Sequence, residues 1–207
     1  MSKNITINQH NGHEFVEIGG IKWATCNVGA EKPTDAGLYF QWGDRKGYTA
    51  DEVGKIKKFN RKHYKHHDGK RFTKYNELDG KQELDLRDDA AFAYMGQGWR
   101  MPTTNDFIRL IDNTTQRWTE DYHRSGVAGM VFTDRTDATK ELFFPAAGYC
   151  TDGYVQSVGS YGYYWSGSLD PESTVYGCHL YLYGVCDVWY SCGNRSFGFP
   201  VRGILTA

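Results

Sequence analysis

The stretch VYGCHLYLYGVCDVWYSCGNRSFGF, from Val175 to Phe199, gathers the side chains best suited to chemistry. It holds Cys178, Cys186 and Cys192, the single histidine His179 and a series of tyrosines, yet no Lys, Glu, Gln or Met. A disulfide frame, a thiol or metal site, and an aromatic recognition surface are the three chemistries such a set allows. Thiolate chemistry needs a basic neighbour or a helix N-terminus. Cys186 and Cys192 flank an aromatic run close to His179, but the run reads as strand and loop without a lysine. The spacings of Cys26, Cys150, Cys178, Cys186 and Cys192 match no paired-cysteine zinc pattern. A chain of 207 residues, 40% hydrophobic, needs no disulfide scaffold to fold, so the cysteines read as mostly free thiols. In CHLYLYG, Leu180 and Leu182 alternate with His179, Tyr181 and Tyr183. This predicts a strand that buries its leucines and presents a His-Tyr-Tyr row. An exposed aromatic row is costly unless it meets a partner, and tyrosine mixed with Ser, Gly and Asn is the chemistry of antibody paratopes.

Other clusters carry less. His63, His66 and His67 in HYKHH suggest a metal, and His63 and His67 would share a face of a helix, but no carboxylate set or cysteine accompanies them. Asp85, Asp88 and Asp89 open a helical segment, where capping and solvation are the expected roles. From Arg45 to Lys74 lysines and arginines crowd together, opposed only by Asp51, Glu52 and Asp68, and apolar residues are sparse. A solvated, extended insertion is expected there in preference to an anion or nucleic-acid contact. Glycine-rich phosphate loops, nucleophile elbows and zinc-protease histidine pairs are absent from the sequence.

The elements that must position these residues are short. FVEIGGIKWATCNVG alternates around Gly19 and Gly20 as a hairpin would. LDLRDDAAFAYMGQGW reads as a helix with Asp88 and Asp89 in its first turn, ended by Gly96 and Gly98. In RMPTTNDFIRLIDN, Thr103 and Asp106 have capping-box spacing, and Phe107, Ile108 and Ile111 form the expected buried stripe. From Gly126 onward, short aromatic or β-branched runs alternate with Gly, Ser, Asp and Pro, the pattern of small strands and long loops. The expected class is α+β with two helices. The net charge of −1 gives no instruction to bind nucleic acid, and no window is long and apolar enough for a membrane span. The opening MSKNITINQHNGHEF lacks the apolar core of a secretory signal, so a soluble chain without its own export signal is expected.

The segments GGIKWATCNVGA, GLYFQWGD, DDAAFAYMGQGWRMPTTNDF, FFPAAGY, GSYGYYWSGSL and GFPVRGI, in this order, resemble the Fibrobacter-type major paralogous domain. That is a branch of the C-type-lectin-like, formylglycine-generating-enzyme-like fold, and many of its members are variable proteins of diversity-generating retroelements in gut bacteria and their phages. The resemblance spans roughly residues 13 to 204. It implies an N-terminal extension over 1–12 and one domain over 13–207, with a basic insertion at about 45–74 and a variable region at about 150–199. In such proteins adenine-directed mutagenesis turns AAC codons into NNC codons, which never encode Lys, Glu, Gln, Met or Trp. The chain lacks Lys, Glu, Gln and Met after Glu172.

The resemblance then assigns Tyr164, Trp165, Ser166, Leu180, Leu182, Trp189, Phe197, Gly198, Phe199, Val201 and Arg202 to a fixed scaffold. Diversified ligand contacts fall on Tyr161, Tyr163, Tyr176, Cys178, His179, Tyr181, Tyr183, Cys186, Asp187, Tyr190, Cys192, Asn194 and Ser196, with Tyr154 weaker and Gln156 outside the codon rule. Related lectins hold calcium with carboxylate-rich loops, whereas Asp187 is the only acid near this face, so calcium-dependent sugar binding is not expected. No motif carries an oxidase cysteine pair onto Cys186 and Cys192. The expectation is a non-enzymatic receptor-recognition or adhesion protein, without cofactor or metal, at a phage tail or bacterial cell surface. Its expected partner is a protein or glycan, not nucleic acid, and a homo-oligomer is allowed. A thiol- or metal-dependent oxidase of the formylglycine-generating type and a structural tail domain are the rivals.

Overall fold

The structure is a computed structural model that describes residues 8–184 and 187–206, with the side chain of Asp187 left out. In chain order the first elements are β1 (Gln9–His10), β2 (His13–Ile18), β3 (Ile21–Asn27), α1 (Ala50–Ile56), α2 (Ala90–Met95) and β4 (Trp99–Arg100). Then follow α3 (Thr104–Asn113), β5 (Thr114–Thr119), β6 (Gly129–Asp134), β7 (Glu141–Pro145), β8 (Tyr149–Thr151) and β9 (Tyr154–Gln156). The last are β10 (Tyr161–Leu169), β11 (Tyr176–Tyr183), β12 (Asp187–Asn194) and β13 (Arg202–Leu205). The fold is α+β, with short helices and small antiparallel sheets. No described helix is long and apolar enough to cross a membrane.

Gly19 and Gly20 both take positive φ and turn β2 back on β3, as the hairpin pattern requires. β1 pairs with β2, so the fold already includes Gln9 and His10, within the stretch expected to be an extension. The final strand β13 lies between β3 and β4, giving the order β1-β2-β3-β13-β4. Arg202 at its start is fully buried. Its guanidinium donates to Asn27 Oδ1 and to the carbonyls of Ala24, Thr25 and Phe143, which ties the last strand to the first sheet.

The two predicted helices form, with adjusted details. Asp89 is the N-cap of α2 and accepts from Phe92 N at 2.9 Å, while Asp88 lies ahead of the helix. Thr103 and Asp106 make the capping box of α3. The buried stripe of α3 is Phe107 and Leu110, with Ile108 and Ile111 only half-buried, because the core lies nearer the 107/110 line of the helix.

The basic segment departs most from expectation. It contains α1, capped by Thr49 and Glu52, and it buries Val53, Phe59, Tyr64 and Phe72. Its lysines find carboxylates outside the segment: Lys58 meets Asp44 at 2.9 Å, Lys65 meets Asp88 at 2.7 Å, and Lys74 bridges Asp85 and Asp88. It is a mostly exposed segment anchored by these few buried side chains, and Asp85 and Asp88 are its counter-ions. Hydrogen bonds from Lys74 and Lys81 push Asp85 down to about 2. At Asp88, burial is outweighed by hydrogen bonds from Lys65, Lys74 and Tyr75, and the carboxyl is held well below its usual range. Asp89, without such a lysine, is pushed up to about 6 by burial, against backbone N–H groups of Met101 and Phe92. Of HYKHH only His63 is helical, at the end of the turn Arg61–His63. His67 accepts from Arg61 Nε, while His63 pairs with Asn60, so the two do not share a helix face.

Candidate functional site

The site is the C-terminal sheet, ordered β10-β11-β12. In β11–β12, Tyr183 pairs with Asp187 and Tyr176 with Asn194; in β10–β11, Tyr161 pairs with Tyr183 and Trp165 with His179. Arg195 N donates to Val175 O at 3.4 Å, while Cys178 O accepts from Ser166 Oγ at 2.7 Å on the β10 side. Odd-numbered residues of β11 therefore exchange backbone bonds with β12, and even-numbered ones with β10. Side chains directly opposite share a face. One face accordingly carries the cross-strand pair Tyr161–Tyr183 and two longer rows, Tyr163–Tyr181–Trp189 and Trp165–His179–Ser191. The opposite face carries Tyr164, Leu180 and Tyr190, with Leu182 and Val188 to one side and Cys178 and Cys192 to the other.

The first face is graded from closed to open. At the closed end Trp165 stacks on Phe199 at 4.0 Å and donates Nε1–H to the Phe40 carbonyl, and His179 is edge-on to Trp165. At the open end Tyr161 stacks on Tyr183 at 4.7 Å. Between them Tyr163 meets Tyr181 at 5.2 Å, and Tyr181 meets Trp189 at 4.7 Å. Tyr163, Tyr181 and Trp189, with Tyr149, Phe197 and Phe199 from the neighbouring strand and loop, wall a cavity of about 330 Å³. Its described lining contains no Lys, Arg, Asp or Glu.

His179 forms the floor. It is 4% exposed, its Nδ1 has no hydrogen-bond partner, and burial pushes its pKa down to about 3, so the ring is neutral. A Cβ placed on Gly193 would sit 3.4 Å from Nδ1, so the space before that nitrogen exists because residue 193 has no side chain. Nδ1 is itself buried, so the neutral ring leaves an orphan polar atom behind the aromatic walls. Burial also pushes the Tyr163 phenol up to about 12, keeping it protonated and able to donate.

The predicted contact residues do not form one surface. Tyr161, Tyr163, Tyr181 and Tyr183 come together as expected, with Leu180 and Leu182 inward. His179 shares their face but is buried, because the chain returns through Phe199 and covers that end. Cys178, Tyr190 and Cys192 point to the other face, and Tyr176 is exposed at the same parity. Asn194 and Ser196 build a turn: Ser196 N and Oγ both donate to Asn194 Oδ1, and the Ser196 carbonyl accepts from Gln41. Cys186 and the Asp187 side chain lie outside the described residues. Trp189, expected in the scaffold, is 44% exposed and stands on the aromatic face; on an edge strand an outward side chain has no further strand to cover it. Tyr149 and Ser191 were not singled out from sequence. Ser191 was legible from its two-residue spacing after Trp189, whereas Tyr149 arrives from a distant strand.

The opposite face covers a second cavity, of about 560 Å³, between the start of α3 and the sheet, where Thr104, Asp170, Cys178, Tyr190 and Cys192 meet. Among the described residues no group of three or more His, Cys, Asp or Glu side chains is placed to hold a metal ion.

An α+β fold with an uncharged aromatic cavity on its last sheet is the class that these observations define. Comparison of the chain with protein-family models, curated proteins and solved structures found no match.

Proposed function

We propose that the protein is a ligand-binding protein of C-type-lectin-like fold, in which the aromatic face of β10, β11 and β12 recognises a protein or glycan at a cell surface. The observation that carries this reading is the graded row of Tyr161, Tyr163, Tyr181, Tyr183 and Trp189 beside an uncharged cavity whose floor holds an unpartnered imidazole nitrogen. Aromatic anchors of this kind supply contact area at low entropic cost. The fold assignment is supported by the ordered motifs of the sequence together with two mid-chain helices and small antiparallel sheets. Diversification of the C-terminal region is supported by the loss of Lys, Glu, Gln and Met after Glu172. Display on a phage tail or bacterial surface follows from that reading.

The direct test is a screen of the full chain against purified bacterial surface glycans and proteins, run beside Tyr181→Ala and Tyr183→Ala. Loss of about tenfold or more in affinity is expected for at least Tyr181→Ala. Unchanged binding in both variants would remove this face from the reading. For the retroelement, the gene's surroundings decide: a near-copy of its last part, differing at adenines and next to a reverse-transcriptase gene, is expected.

A further inference from the structure

Cys178 and Cys192 face each other across β11 and β12. The backbone bonds of Val175 and of Cys178 place this pair in a non-hydrogen-bonded position of the ladder. Side chains approach most closely there, with Cα atoms about 4.5 Å apart. That separation lies within the roughly 4.4–6.8 Å that a disulfide spans. Both residues carry free thiols, and both line the cavity beside the N-terminal turn of α3. Thr104 and Asp170 line the same cavity beside the pair.

We infer that Cys178 and Cys192 form an oxidation site, at which a peroxide or a small-molecule disulfide closes the pair to a cross-strand disulfide. With a peroxide, the Cys178 thiolate attacks one oxygen, the O–O bond breaks, and a sulfenic acid and hydroxide form. The Cys192 thiol then attacks that sulfur, the S–S bond forms, and water leaves. Two thiols are oxidised and one peroxide is reduced to two waters. With a small disulfide, two successive exchanges release two small thiols. The thiols already divide the labour: a hydrogen bond from Cys192 holds the Cys178 thiol below its ordinary range, and the same contact pushes Cys192 up. Thiolate character therefore concentrates on Cys178, the better attacking group.

The consequence reaches the other face of the sheet. β12 is the edge strand, and it carries Trp189 and Ser191 of the aromatic cavity. Oxidation would staple that wall to β11 through Cys192, which itself borders the aromatic cavity.

The test uses the folded full chain, exposed to hydrogen peroxide or oxidised glutathione and digested without reduction. A peptide joining Cys178 to Cys192, with the loss of two hydrogens, is expected in the parent and in Cys186→Ser. A higher melting temperature for the oxidised than the reduced parent is expected, and no such rise in Cys178→Ala. Two results overturn the inference: both thiols remain open to alkylation after oxidation of the folded parent, or the map joins either one to Cys186 or to a second chain. The peptide map needs no variant, so it decides the matter even if a substituted chain fails to fold. It is also independent of any ligand.

Discussion

The two faces of β11 and β12 share one backbone but obey different rules. Leu180 and Leu182 on the inner face are fully buried against Trp23, Phe107, Leu110 and Phe144, together with Tyr164 of β10. Each such leucine is worth about 1.5–3 kcal/mol of burial. On the outer face Tyr183 and Trp189 are exposed and Tyr181 is half-buried, with Tyr181 meeting Trp189 and Tyr183 stacked on Tyr161. Neighbours in sequence therefore belong to different physical systems, one that holds the fold and one that stays at the surface, where the proposed binding would occur. His179 is the exception that joins them: it has outer-face parity but inner-face burial, and its cost is an unpaired ring nitrogen.

Substitutions can sharpen this contrast. The largest effect is expected for Leu180→Ala, a loss of about 2–5 kcal/mol of stability from a buried cavity, read by denaturant unfolding. Below its melting temperature the variant should keep the parent's affinity. A large loss of affinity with unchanged stability would show that the inner face contacts ligand.

Next come the adjacent residues Trp189 and Tyr190, 44% and 51% exposed on opposite faces. Trp189→Ala should weaken binding by about 2 kcal/mol, roughly thirtyfold, as an aromatic anchor does. Tyr190→Ala should leave affinity within about 0.5 kcal/mol. Titration calorimetry on both variants checks the pair, and equal effects would erase the distinction between faces.

A smaller effect is expected from Gly193→Ala, whose methyl would fill the space before His179 Nδ1. The backbone there needs no positive φ, so the fold should tolerate it. Affinity should fall by about 1 kcal/mol, the worth of one hydrogen bond. If affinity is unchanged, the imidazole is structural only.

The smallest effects concern pH. His179 is buried neutral, with its pKa pushed down to about 3, so affinity should not vary between about pH 5 and 8 on its account. A binding change centred near pH 6.5, lost in His179→Gln, would contradict this. Stability responds through the acids. Asp89 has a folded pKa raised to about 6, so the folded state binds the proton more tightly than the unfolded chain, and acidification from about pH 6 to 4 should favour folding slightly. Asp85 and Asp88 are depressed, so their contribution is present above about pH 4 and is lost as pH falls through their folded values near and below 2. Unfolding free energies across that range should show a shallow rise before the acid loss, and Asp89→Asn should flatten the rise.

Much of the scaffold was legible from residue types. The Gly19–Gly20 hairpin, the Thr103–Asp106 capping box and the inward pair Leu180–Leu182 each follow from a local rule about φ, orphan N–H groups or strand periodicity. The ion pairs and buried anchors of the basic segment were not legible, because lysine density looks the same whether its counter-ions are water or distant carboxylates. The partners of Lys65 and Lys74 lie 23 and 14 residues away, beyond any local window. The candidate site was half legible: alternation located the tyrosine row and puts Cys178 on the leucine side, but the side taken by Cys192 depends on pairing register.

By itself the sequence determined which residues alternate, where helices start and that the last quarter is aromatic and free of lysine. Only the tertiary structure decided which part of that quarter is closed. Phe199 returns beside Phe40 and Trp165 to roof His179, while the edge position of β12 leaves Trp189 open. Periodicity sets the direction of a side chain, but burial is set by what another part of the chain brings over it.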